Sequence, residues 1–448
     1  MLRIATWNIN GLRSFTQSQL KEALDQIDAD IICLQETKLT GDVIDEQIVT
    51  FDGYNSFFSF SRVRSGYSGV ATLCRSNLVP VKAEEGLSEV LAPEKCQDLV
   101  ECYGSTKLSP DRLKQLDSEG RAVLTQFVLS DGKPLTVINV YCPRADPDRY
   151  EERLAFKLDF YHLLEARAHA LVEAGGHVVV LGDLNTSHKP IDHCDPGDLE
   201  EFQSNLGRLW MDRVVTSCAA DEGRLQLVDA FRQVHPDMRE AFTCWNTQKR
   251  ARATNYGTRI DYILLSAALS NSLVATDIMA HVLGSDHCPV RAQLEVQLAS
   301  DPVPLPSLCS RFLVVGKQQK LSAFFAPQAK PSSKEEPKKP CAQAKNVAPK
   351  QTSLTAFIQK RPRLETESAA PNVVAAPRNA GAADAWRAML SGPRPPPLCS
   401  GHKEPSVQHT VKKPGPNFNR LFYACARGEG HKDNPESRCN FFQWAPKK

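Results

Sequence analysis

The stretch His177-Val178-Val179-Val180-Leu181-Gly182-Asp183-Leu184-Asn185 contains both the structural and the chemical signal of this chain. Residues 177–181 are apolar, largely β-branched and of strand length, which predicts a buried strand that stops at Gly182. Asp183 and Asn185 follow, and on extended chain residues two apart point to the same side. Such a strand delivers polar groups to the rim of a sheet. Because Gly-Asp-x-Asn is also ordinary turn chemistry, the rest of the sequence must decide between a turn and a site.

The charge of the chain is distributed unevenly. Its 448 residues carry a net charge of +2, but residues 1–300 hold 30 Lys and Arg against 42 Asp and Glu, whereas residues 301–448 hold 24 against 10. An acidic body with a basic tail indicates that the tail meets an anionic partner, with nucleic acid as the first candidate. The content of 42% hydrophobic residues suits a soluble chain with at least one sizeable core.

Targeting signals and cysteine usage favour an intracellular protein. The N-terminal residues lack the charged and apolar regions of a secretory signal, and no apolar run approaches the roughly 20 residues that span a bilayer. Most of the 14 cysteines stand singly in apolar surroundings, as Cys33, Cys74, Cys142 and Cys288 do. Such cysteines are typical of reduced core residues rather than of a disulfide framework.

Residues 1–298 alternate short apolar runs with amphipathic stretches. Two pairs of runs predict hairpin-like strands, and apolar residues spaced by three and four predict a long helix over residues 149–174. Strand pairs mixed with helices favour an α/β sandwich with mixed sheets over a doubly wound parallel sheet. Strands are predicted at 2–7, 31–34, 54–60, 69–74, 122–129, 135–141, 177–181, 260–265 and 289–298, with further helices at 18–27 and near 206–217.

The remaining chain divides into two parts. Residues 299–395 are rich in proline, alanine, lysine and serine, a composition that cannot bury a core and predicts a disordered linker. Two islands, the short segments 318–325 and 351–358, are more apolar than the rest of this linker. Residues 396–448 regain Cys, His and aromatic residues, which predicts a small separate module.

Polar segments end the apolar runs of the first domain, and their residue types suit hydrolysis of a phosphodiester. A hard cation such as Mg²⁺ or Mn²⁺ prefers carboxylate and water oxygens, and an Asp held by an amide can activate a water. Asn, Tyr and His can donate to phosphate oxygens, and a carboxylate such as Asp261 can orient a histidine. Each residue alone can be a helix cap, a turn residue or a structural histidine, but the set is difficult to explain as scaffold. The segments are 7–13, 34–38, 139–141, 182–185, 259–262 and 284–287.

Five of these segments carry a resemblance to a known family. Asn-Ile-Asn-Gly-Leu-Arg at 8–13, Leu-Gln-Glu-Thr-Lys at 34–38, Gly-Asp-Leu-Asn at 182–185, Arg-Ile-Asp-Tyr at 259–262 and Gly-Ser-Asp-His at 284–287 together resemble the exonuclease III family of endonuclease/exonuclease/phosphatase enzymes. The resemblance covers roughly residues 1–298. It implies a four-layer α/β sandwich with the site between two mixed sheets, and metal-dependent hydrolysis of DNA.

The resemblance also implies roles for individual residues. Glu36 corresponds to the main metal ligand, with Asn8 close by and Asp286 near the metal. Asp183 corresponds to the base that activates water, and Asn185 stabilises the attack. The same resemblance implies that Tyr141 and His287 contact the phosphate and that Asp261 orients His287. It also implies that Asp183, Asn185 and His287 lie around the metal.

The sequence departs from one branch of this family in ways that concern the substrate. Asn10 stands where the AP endonuclease 1 branch has Asp, although the bacterial exonuclease III branch also has Asn. The sugar pocket of the AP endonuclease 1 branch is aromatic, whereas here Trp245 is kept and two further positions are Cys244 and Thr258. A less confined pocket favours work at a frayed 3′ end over flipping a nucleotide from intact duplex. Together with this departure, the family resemblance implies 3′→5′ exonuclease and 3′-phosphodiesterase activity, with weaker cleavage at abasic sites.

Further DNA contacts are predicted near Gly66. Arg62, Arg64 and Tyr67 are candidates for contact with the DNA backbone, together with Trp245 in the pocket. The alternative for the two arginines is ordinary solvated loop charge.

The two islands of the linker resemble a clamp-binding peptide, Gln-x-x-aliphatic-x-x-aromatic-aromatic. Its aliphatic and aromatic side chains form an apolar plug for a surface pocket, with Gln as a polar anchor. The second island departs in having Ile358 at the last position. This motif implies binding to the sliding clamp, proliferating cell nuclear antigen, through Gln318, Leu321, Phe324 and Phe325 and through Gln351, Leu354, Phe357 and Ile358.

The terminal module carries the spacing of a structural zinc site. Cys399, His402, Cys425 and Cys439 suit a tetrahedral zinc ion, with His409 or His431 as alternative ligands. Zinc would stabilise a module of this size, which is too small to rely on its core. The module resembles the GRF-type zinc finger.

Basic and aromatic residues of the finger suit a single strand of DNA. Lys412, Lys413 and Arg420 are candidates for phosphate contacts, and the aromatic residues nearby can stack on bases, although some of them must also form the core.

The resemblances of the three parts together imply a nuclear DNA-repair enzyme of base excision repair that acts as a monomer. The basic tetrapeptide at 360–363 is a candidate import signal, and a cytoplasmic or mitochondrial fraction remains open. Its expected partners are DNA with 3′ ends, abasic sites or single-stranded gaps, and the sliding clamp. The alternatives are a non-catalytic adaptor on a nuclease fold and a small-molecule phosphodiesterase of the same superfamily.

Overall fold

The computed structural model describes residues 1–41, 46–93, 96–215, 223–314 and 395–446. It is a mixed α/β structure with two six-stranded sheets, followed by a three-stranded sheet in the terminal module. The strands are β1 Leu2–Asn8, β2 Ile31–Gln35, β3 Tyr54–Ser59, β4 Val70–Arg75, β5 Lys82–Glu85, β6 Ala122–Val128, β7 Pro134–Tyr141, β8 His177–Asp183, β9 Leu227–Asp229, β10 Cys244–Trp245, β11 Gly257–Thr258, β12 Asp261–Ser266, β13 Leu273–Ile278, β14 Val290–Leu294, β15 Val407–Thr410, β16 Leu421–Ala424 and β17 Phe442–Trp444. The helices are α1 Gln17–Ile27, α2 Glu46–Val49, α3 Pro110–Ser118, α4 Tyr150–Glu173, α5 Leu199–Ser204, α6 Leu206–Val214, α7 Ala230–Val234, α8 Ala267–Ser270 and α9 Ser310–Val314.

The two large sheets have the same internal plan. The first has the order β13-β14-β1-β2-β4-β3 and the second the order β5-β6-β7-β8-β12-β9. In each sheet one central pair is parallel, β1 with β2 and β7 with β8, and the neighbouring pairs are antiparallel. The carboxyl ends of two parallel strands therefore meet at one edge of each sheet, and antiparallel neighbours begin at that edge.

Local sequence explains where the main helices begin and end. Thr16 caps α1 in a capping box with Gln19, and Asp28 ends the helix in the left-handed region at φ 44°. Asn205 caps α6 by accepting from the N–H groups of Gly207 and Arg208.

Apolar side chains divide the body into four layers. One buried cluster fills the space between the sheets and includes Ile4, Cys33, Val137 and Leu181. A second cluster packs α4 and α6 on the outer face of the second sheet, and a third packs α1 on the outer face of the first. The predicted α/β sandwich with two mixed sheets is thus confirmed, with helices as the outer layers.

Two predictions of local structure need correction. The strand predicted over residues 177–181 does not stop at Gly182 but continues through Asp183, which pairs with Asp261 of β12. Gly182 takes φ 143°, and a Cβ atom there would lie 1.8 Å from the Val140 carbonyl oxygen. The residue therefore permits close strand packing instead of ending the strand.

The predicted linker also begins too early. Residues 299–314 are described and pack against the body, where Cys309 is fully buried and α9 follows it. The Ser310 hydroxyl lies 2.6 Å from the Ser56 hydroxyl. Proline-rich composition predicted a linker because such a segment cannot form a core of its own. Here the segment is ordered because it packs against the first sheet.

Several predicted features lie outside the described residues. They include both clamp-binding peptides, the tetrapeptide at 360–363 and the end of the helix predicted near 206–217. Within the described parts of the chain, no helix is long and apolar enough to cross a membrane.

Candidate active site and zinc centre

Polar side chains from both sheets converge where the parallel strand pairs end. Asn8 ends β1, Glu36 follows β2, Tyr141 ends β7 and Asp183 ends β8. Because β12 runs antiparallel to β8, its first residue Asp261 is paired with Asp183. His287 precedes β14, which runs antiparallel to β1. The sheet topology therefore gathers residues from segments far apart in sequence at one place between the sheets.

The Asn8 amide links two acidic groups at the centre of this cluster. Its Nδ2 donates to Glu36 Oε1 at 3.0 Å and to Asp183 Oδ2 at 2.9 Å. Glu36 also forms an ion pair with Lys38 at 3.0 Å. Burial alone would raise the pKa of Glu36, but the hydrogen bond from Asn8 and the charge of Lys38 outweigh it and hold the pKa below its ordinary value. Glu36 is thus an ionised oxygen donor at neutral pH.

Asp183 is buried and accepts from several donors. Its Oδ1 accepts from the Asn185 N–H at 2.8 Å, and its Oδ2 accepts from the Asn185 side-chain amide at 3.3 Å. Asn185 faces Asp183 because it takes the left-handed region at φ 53°, rather than because the chain is extended as predicted. Burial raises the pKa of Asp183 to about 7, against the opposing charge of His287. A carboxyl with such a pKa can exchange a proton near neutral pH.

A buried carboxylate fixes the orientation of His287. Asp261 Oδ2 lies 2.8 Å from His287 Nδ1, which leaves Nε2 directed towards Asp183 Oδ2 at 4.0 Å. Burial opposes protonation of the ring, but the charge of Asp261 dominates and raises the pKa of His287 well above its ordinary value. The protonated ring is therefore a donor at neutral pH.

Tyr141 contributes a phenol beside Glu36. Burial and then the charge of Glu36 raise its pKa well above the ordinary value, so the hydroxyl keeps its proton. The guanidinium of Arg121 lies under the ring, 4.6 Å from its centroid, and donates to the Tyr141 carbonyl at 2.8 Å. These contacts hold the phenol in a fixed position.

Asp286 lies at the more exposed rim of the cluster. Its Oδ1 accepts from Asn10 Nδ2 at 2.8 Å, and Lys38 in turn donates to Asn10 Oδ1. The predicted metal ligands Glu36 and Asp286 are therefore connected through Lys38 and Asn10. All of the predicted catalytic and metal residues come together in this region.

Two buried residues of the cluster were missed from the sequence. Lys157 of α4 donates to the Asn185 carbonyl at 2.6 Å, and burial lowers its pKa to about 8. Its position four residues before Tyr161, within the apolar stripe of α4, was the available signal. Thr243 donates to Asp261 Oδ2 at 2.6 Å and has no comparable signal, since a lone Thr before a short strand is unremarkable in sequence.

The predicted DNA contacts near Gly66 differ from one another in the structure. Tyr67 is held in an ionic cluster, where its hydroxyl donates to Glu119 at 3.2 Å and accepts from Arg121 at 2.7 Å. Arg62 forms an ion pair with Glu85 at 2.6 Å. Arg64 lies over the Tyr67 ring at 4.3 Å and remains exposed. Of the three, Arg64 presents the least constrained charge to solvent.

The pocket residues lie on the short hairpin formed by β10 and β11. Cys244 pairs with Thr258, and Trp245 pairs with Gly257. Trp245 is only 3% exposed and its ring lies 4.6 Å from the Arg252 guanidinium, so it forms the floor rather than an open face of the pocket. The hairpin is also bridged to the site because Cys244 pairs with His287.

The terminal module gathers its predicted zinc ligands. The ligand atoms of Cys399, His402, Cys425 and Cys439 all lie within 4.8 Å of one another. Although burial acts in the opposite direction, hydrogen bonds from the chain lower the pKa of Cys399 to about 6, which favours the thiolate that binds zinc. The alternative ligands lie elsewhere, because His409 stacks on Phe422 and His431 packs edge-on against Tyr256.

The aromatic residues of the finger form one cluster. Phe442 stacks on Phe422 with centroids 5.1 Å apart, and Trp444 packs edge-on against both. Arg420 lies 3.8 Å from the centroid of Trp444. Phe442 is nevertheless 52% exposed, so the cluster offers a ring to solvent beside a guanidinium. Lys412 and Lys413 are exposed between β15 and β16.

Comparisons with known proteins agree with this geometry. Residues 5–287 match the model of the Endonuclease/Exonuclease/phosphatase family, and residues 397–448 match that of the GRF zinc finger. The chain is 44% identical to DNA-(apurinic or apyrimidinic site) endonuclease 2 of Xenopus laevis, over all of this chain and 99% of that protein. It is 41% identical to the protein of the same name from Homo sapiens, over 99% of each.

A solved structure also resembles the body. The crystal structure of the Xenopus laevis APE2 catalytic domain superposes with a TM-score of 0.65 and is 50% identical in sequence. It corresponds to 71% of this chain and 100% of that one.

Proposed function

The chain belongs to the endonuclease/exonuclease/phosphatase family, and on that premise we propose that it acts mainly at 3′ ends. It is a DNA-repair nuclease of the exonuclease III type, a phosphodiester hydrolase that binds DNA. We infer 3′→5′ exonuclease and 3′-phosphodiesterase activity, with weaker cleavage at abasic sites. The single observation that carries the proposed hydrolysis is the buried array in which Asn8 joins Asp183 to Glu36 while Asp261 orients His287. A non-catalytic adaptor is not favoured, because this array is complete.

The oxygen donors of the site suit a divalent cation. Glu36, Asp183 and Asp286 bring three carboxyl groups together, and a neutral amide bridges Glu36 and Asp183 while the Lys38 ammonium pairs with Glu36. We propose that Glu36 holds Mg²⁺ or Mn²⁺, with Asn8 and Asp286 beside it and Asp183, Asn185 and His287 around it. Such an ion, when bound, neutralises charge that develops on the phosphate and leaving oxygens.

We assign the proton transfers to Asp183. Its carboxylate takes a proton from water as the water oxygen forms a bond to phosphorus and the bond from phosphorus to the 3′ oxygen breaks. The leaving 3′ oxygen takes a proton from solvent, and Asp183 then releases the proton it accepted to solvent, which balances the step. Asn185 holds the carboxylate in position through its two hydrogen bonds to Asp183, and the carboxylate in turn orients the attacking water.

Tyr141 and His287 are assigned to the non-bridging phosphate oxygens. Both keep a proton at neutral pH, as their raised pKa values indicate, so both can donate as negative charge grows on the phosphate. Asp261 acts through His287, since it fixes the ring and stabilises the charged form.

The pocket supports preference for a 3′ end over an internal abasic site. Cys244 and Thr258 occupy positions where an aromatic wall would confine a flipped sugar, and Trp245 is buried beneath Arg252. Without that wall, less binding energy is available to hold a nucleotide out of a duplex. A terminal nucleotide that has already frayed requires less binding energy to be held in the site.

One assay separates these activities. We expect wild type with Mg²⁺ to digest a 3′-recessed duplex faster than it cleaves an internal abasic site, and Asp183→Ala to lose both reactions. Cys244→Phe should increase cleavage at the abasic site relative to digestion. Equal rates on both substrates for wild type would contradict the preference, and digestion by Asp183→Ala would contradict its role as base.

We further propose that the terminal module binds zinc through Cys399, His402, Cys425 and Cys439 and contacts single-stranded DNA. Exposed Phe442, Lys412, Lys413 and the Arg420 guanidinium supply ring and charge for bases and phosphates. Cys425→Ala should lose one equivalent of zinc and weaken single-strand affinity. Unchanged affinity in a variant shown to lack zinc would remove this assignment.

Clamp binding rests on the sequence motif alone, since residues 318–325 and 351–358 lie outside the described residues. We propose that a monomer of this enzyme uses one or both peptides to bind proliferating cell nuclear antigen. Replacing Phe324, Phe325 and Phe357 by Ala together should abolish clamp binding, and binding that survives would refute the proposal.

A DNA-repair enzyme of this kind has a nuclear role, and we propose residues 360–363 as its import signal.

The packing of residues 299–314 on the body supports the domain limits that we propose. We propose a catalytic domain over residues 1–314, a linker that carries the clamp peptides, and a finger over 396–448. Arg62, Arg64 and Tyr67 are proposed DNA contacts of the catalytic domain, with Arg64 the most accessible.

A further inference from the structure

The terminal finger is seated on one loop of the nuclease body, residues 246–256. The Glu429 N–H donates to the Lys249 carbonyl at 2.9 Å, and the Lys249 ammonium lies 2.9 Å from Glu429 Oε2. Arg250 Nη1 donates to the Ala426 carbonyl at 3.1 Å, and the Thr254 hydroxyl donates to the Glu429 carbonyl. Both backbone and side-chain groups therefore join the two surfaces.

Glycines in the finger permit this close approach. A Cβ atom at Gly428 would lie 2.4 Å from the Arg250 carbonyl oxygen, and one at Gly430 would lie 3.1 Å from Thr254 Cβ. Beside them the His431 ring packs edge-on against Tyr256, with centroids 5.2 Å apart. The finger backbone thus fits the loop closely, and no side chain of ordinary size can be added at position 428 without separating them.

The opposite side of the same loop supports the pocket. Asn255 accepts from Trp245 Nε1 at 3.0 Å, and the Arg252 guanidinium lies 4.6 Å from the Trp245 ring. Arg252 Nη1 also donates to the carbonyl of Ser285, which precedes Asp286. A cavity of about 250 Å³ opens there between Trp245, Arg252 and Asp286. One loop therefore carries the finger on one side and the pocket floor on the other.

We propose that the zinc-bound finger braces the loop 246–256 and so fixes the pocket floor at Trp245. A loop held by hydrogen bonds on both sides has fewer open conformations than a loop held on one side, so the finger positions Trp245 and Arg252 without touching substrate. The role of the pocket in this inference rests on the proposed nuclease function. The seating of the finger is independent of it.

A zero-length carbodiimide cross-link tests the seating in the full chain. It should join Lys249 to Glu429, because their charged groups are in contact, and a peptide containing both should be found by mass spectrometry. The link from Lys82 to Glu101, 3.1 Å apart within the body, is the internal control. Removing zinc with a chelator should abolish the first link and preserve the second. Absence of the first link from the zinc-loaded chain, with the second present, would overturn the proposal.

A second variant tests the brace itself. In Gly428→Val, shown to retain zinc, we expect amide exchange in residues 246–256 to rise by about threefold or more, with a similar rise in the KM for 3′-recessed DNA. Gln408→Val places the same side chain on β15 of the finger, where the described contacts include none with the loop, and should match wild type. Exchange and KM in Gly428→Val equal to those of Gln408→Val would overturn the brace. If wild type hydrolyses no DNA, the proposed function fails, yet the cross-link and exchange still report on the finger.

Discussion

Asp261 Oδ2 lies 2.8 Å from His287 Nδ1, and both residues are buried between the two sheets. The hydroxyl of Thr243 donates to the same carboxylate oxygen at 2.6 Å and prevents it from turning away. The relationship decides two properties of the histidine at once. It directs Nε2 into the site, and it stabilises the imidazolium that donates to a phosphate.

Asp261→Asn should reduce hydrolysis of 3′-recessed DNA by roughly 100-fold, because the neutral amide no longer stabilises the protonated ring. The measurement is the initial rate with saturating metal, together with the melting temperature to verify the fold. Asp277→Asn is the matched control, since that carboxylate is half-exposed and pairs with Arg291 at 3.0 Å away from the cluster. A rate for Asp261→Asn within about threefold of wild type would exclude this role.

The rate should increase with pH on the acid side of neutrality. Burial raises the pKa of Asp183 to about 7, and only its ionised form takes a proton from water, so kcat/KM should fall about tenfold per pH unit below that pKa. A bound cation favours the carboxylate, so the midpoint should move to lower pH as metal concentration rises. Profiles of kcat/KM from pH 5 to 9 at two metal concentrations test both statements. A flat profile at both concentrations would contradict them.

The parts of the fold that follow from local pattern were predictable. The continuous apolar runs of β2 and β8 are local signals because both faces of these strands are buried, and the apolar stripe of α4 is periodic because one side of the helix packs on the second sheet. The polar residues at the ends of these strands were predictable for the same reason. The parallel pairs of strands then bring those ends together.

The network behind the site was less predictable, because its partners come from distant segments. Arg121 looks like an ordinary charge before a strand, yet it is 2% exposed and contacts Glu119, Tyr67 and Tyr141. Nothing local distinguishes it from a solvated arginine. Residues 299–314 are the opposite case. Their proline-rich composition predicts a linker, yet the segment packs against the core of the nuclease body.

Asn8→Ala should raise the Mg²⁺ concentration needed for half-maximal activity by about tenfold. The Asn8 amide is the group that donates to both Glu36 and Asp183, so its loss leaves two neighbouring carboxylates without a shared donor. Their repulsion then alters the orientation of the proposed ligand. Metal titration of activity measures the effect, and Asn77→Ala, on an exposed turn, serves as control. An unchanged metal requirement would show that the amide does not hold the ligand.

Arg121→Met should lower the free energy of unfolding by about 3 kcal/mol, because it removes a buried cation from Glu119 and from the carbonyl of Tyr141. Glu119 keeps Arg153 at 3.1 Å, which places the loss at the lower end of the range for a broken buried pair. Urea unfolding measures the change. Arg112→Met makes the same replacement in a partly exposed pair with Asp159 at 2.7 Å and should cost about 1 kcal/mol or less. Since Arg121 also supports the Tyr141 ring, the variant should lose hydrolysis at temperatures where it remains folded, whereas Arg112→Met should not. Equal stability and equal activity of the two variants would refute the role of Arg121 as the link between Tyr67 and Tyr141.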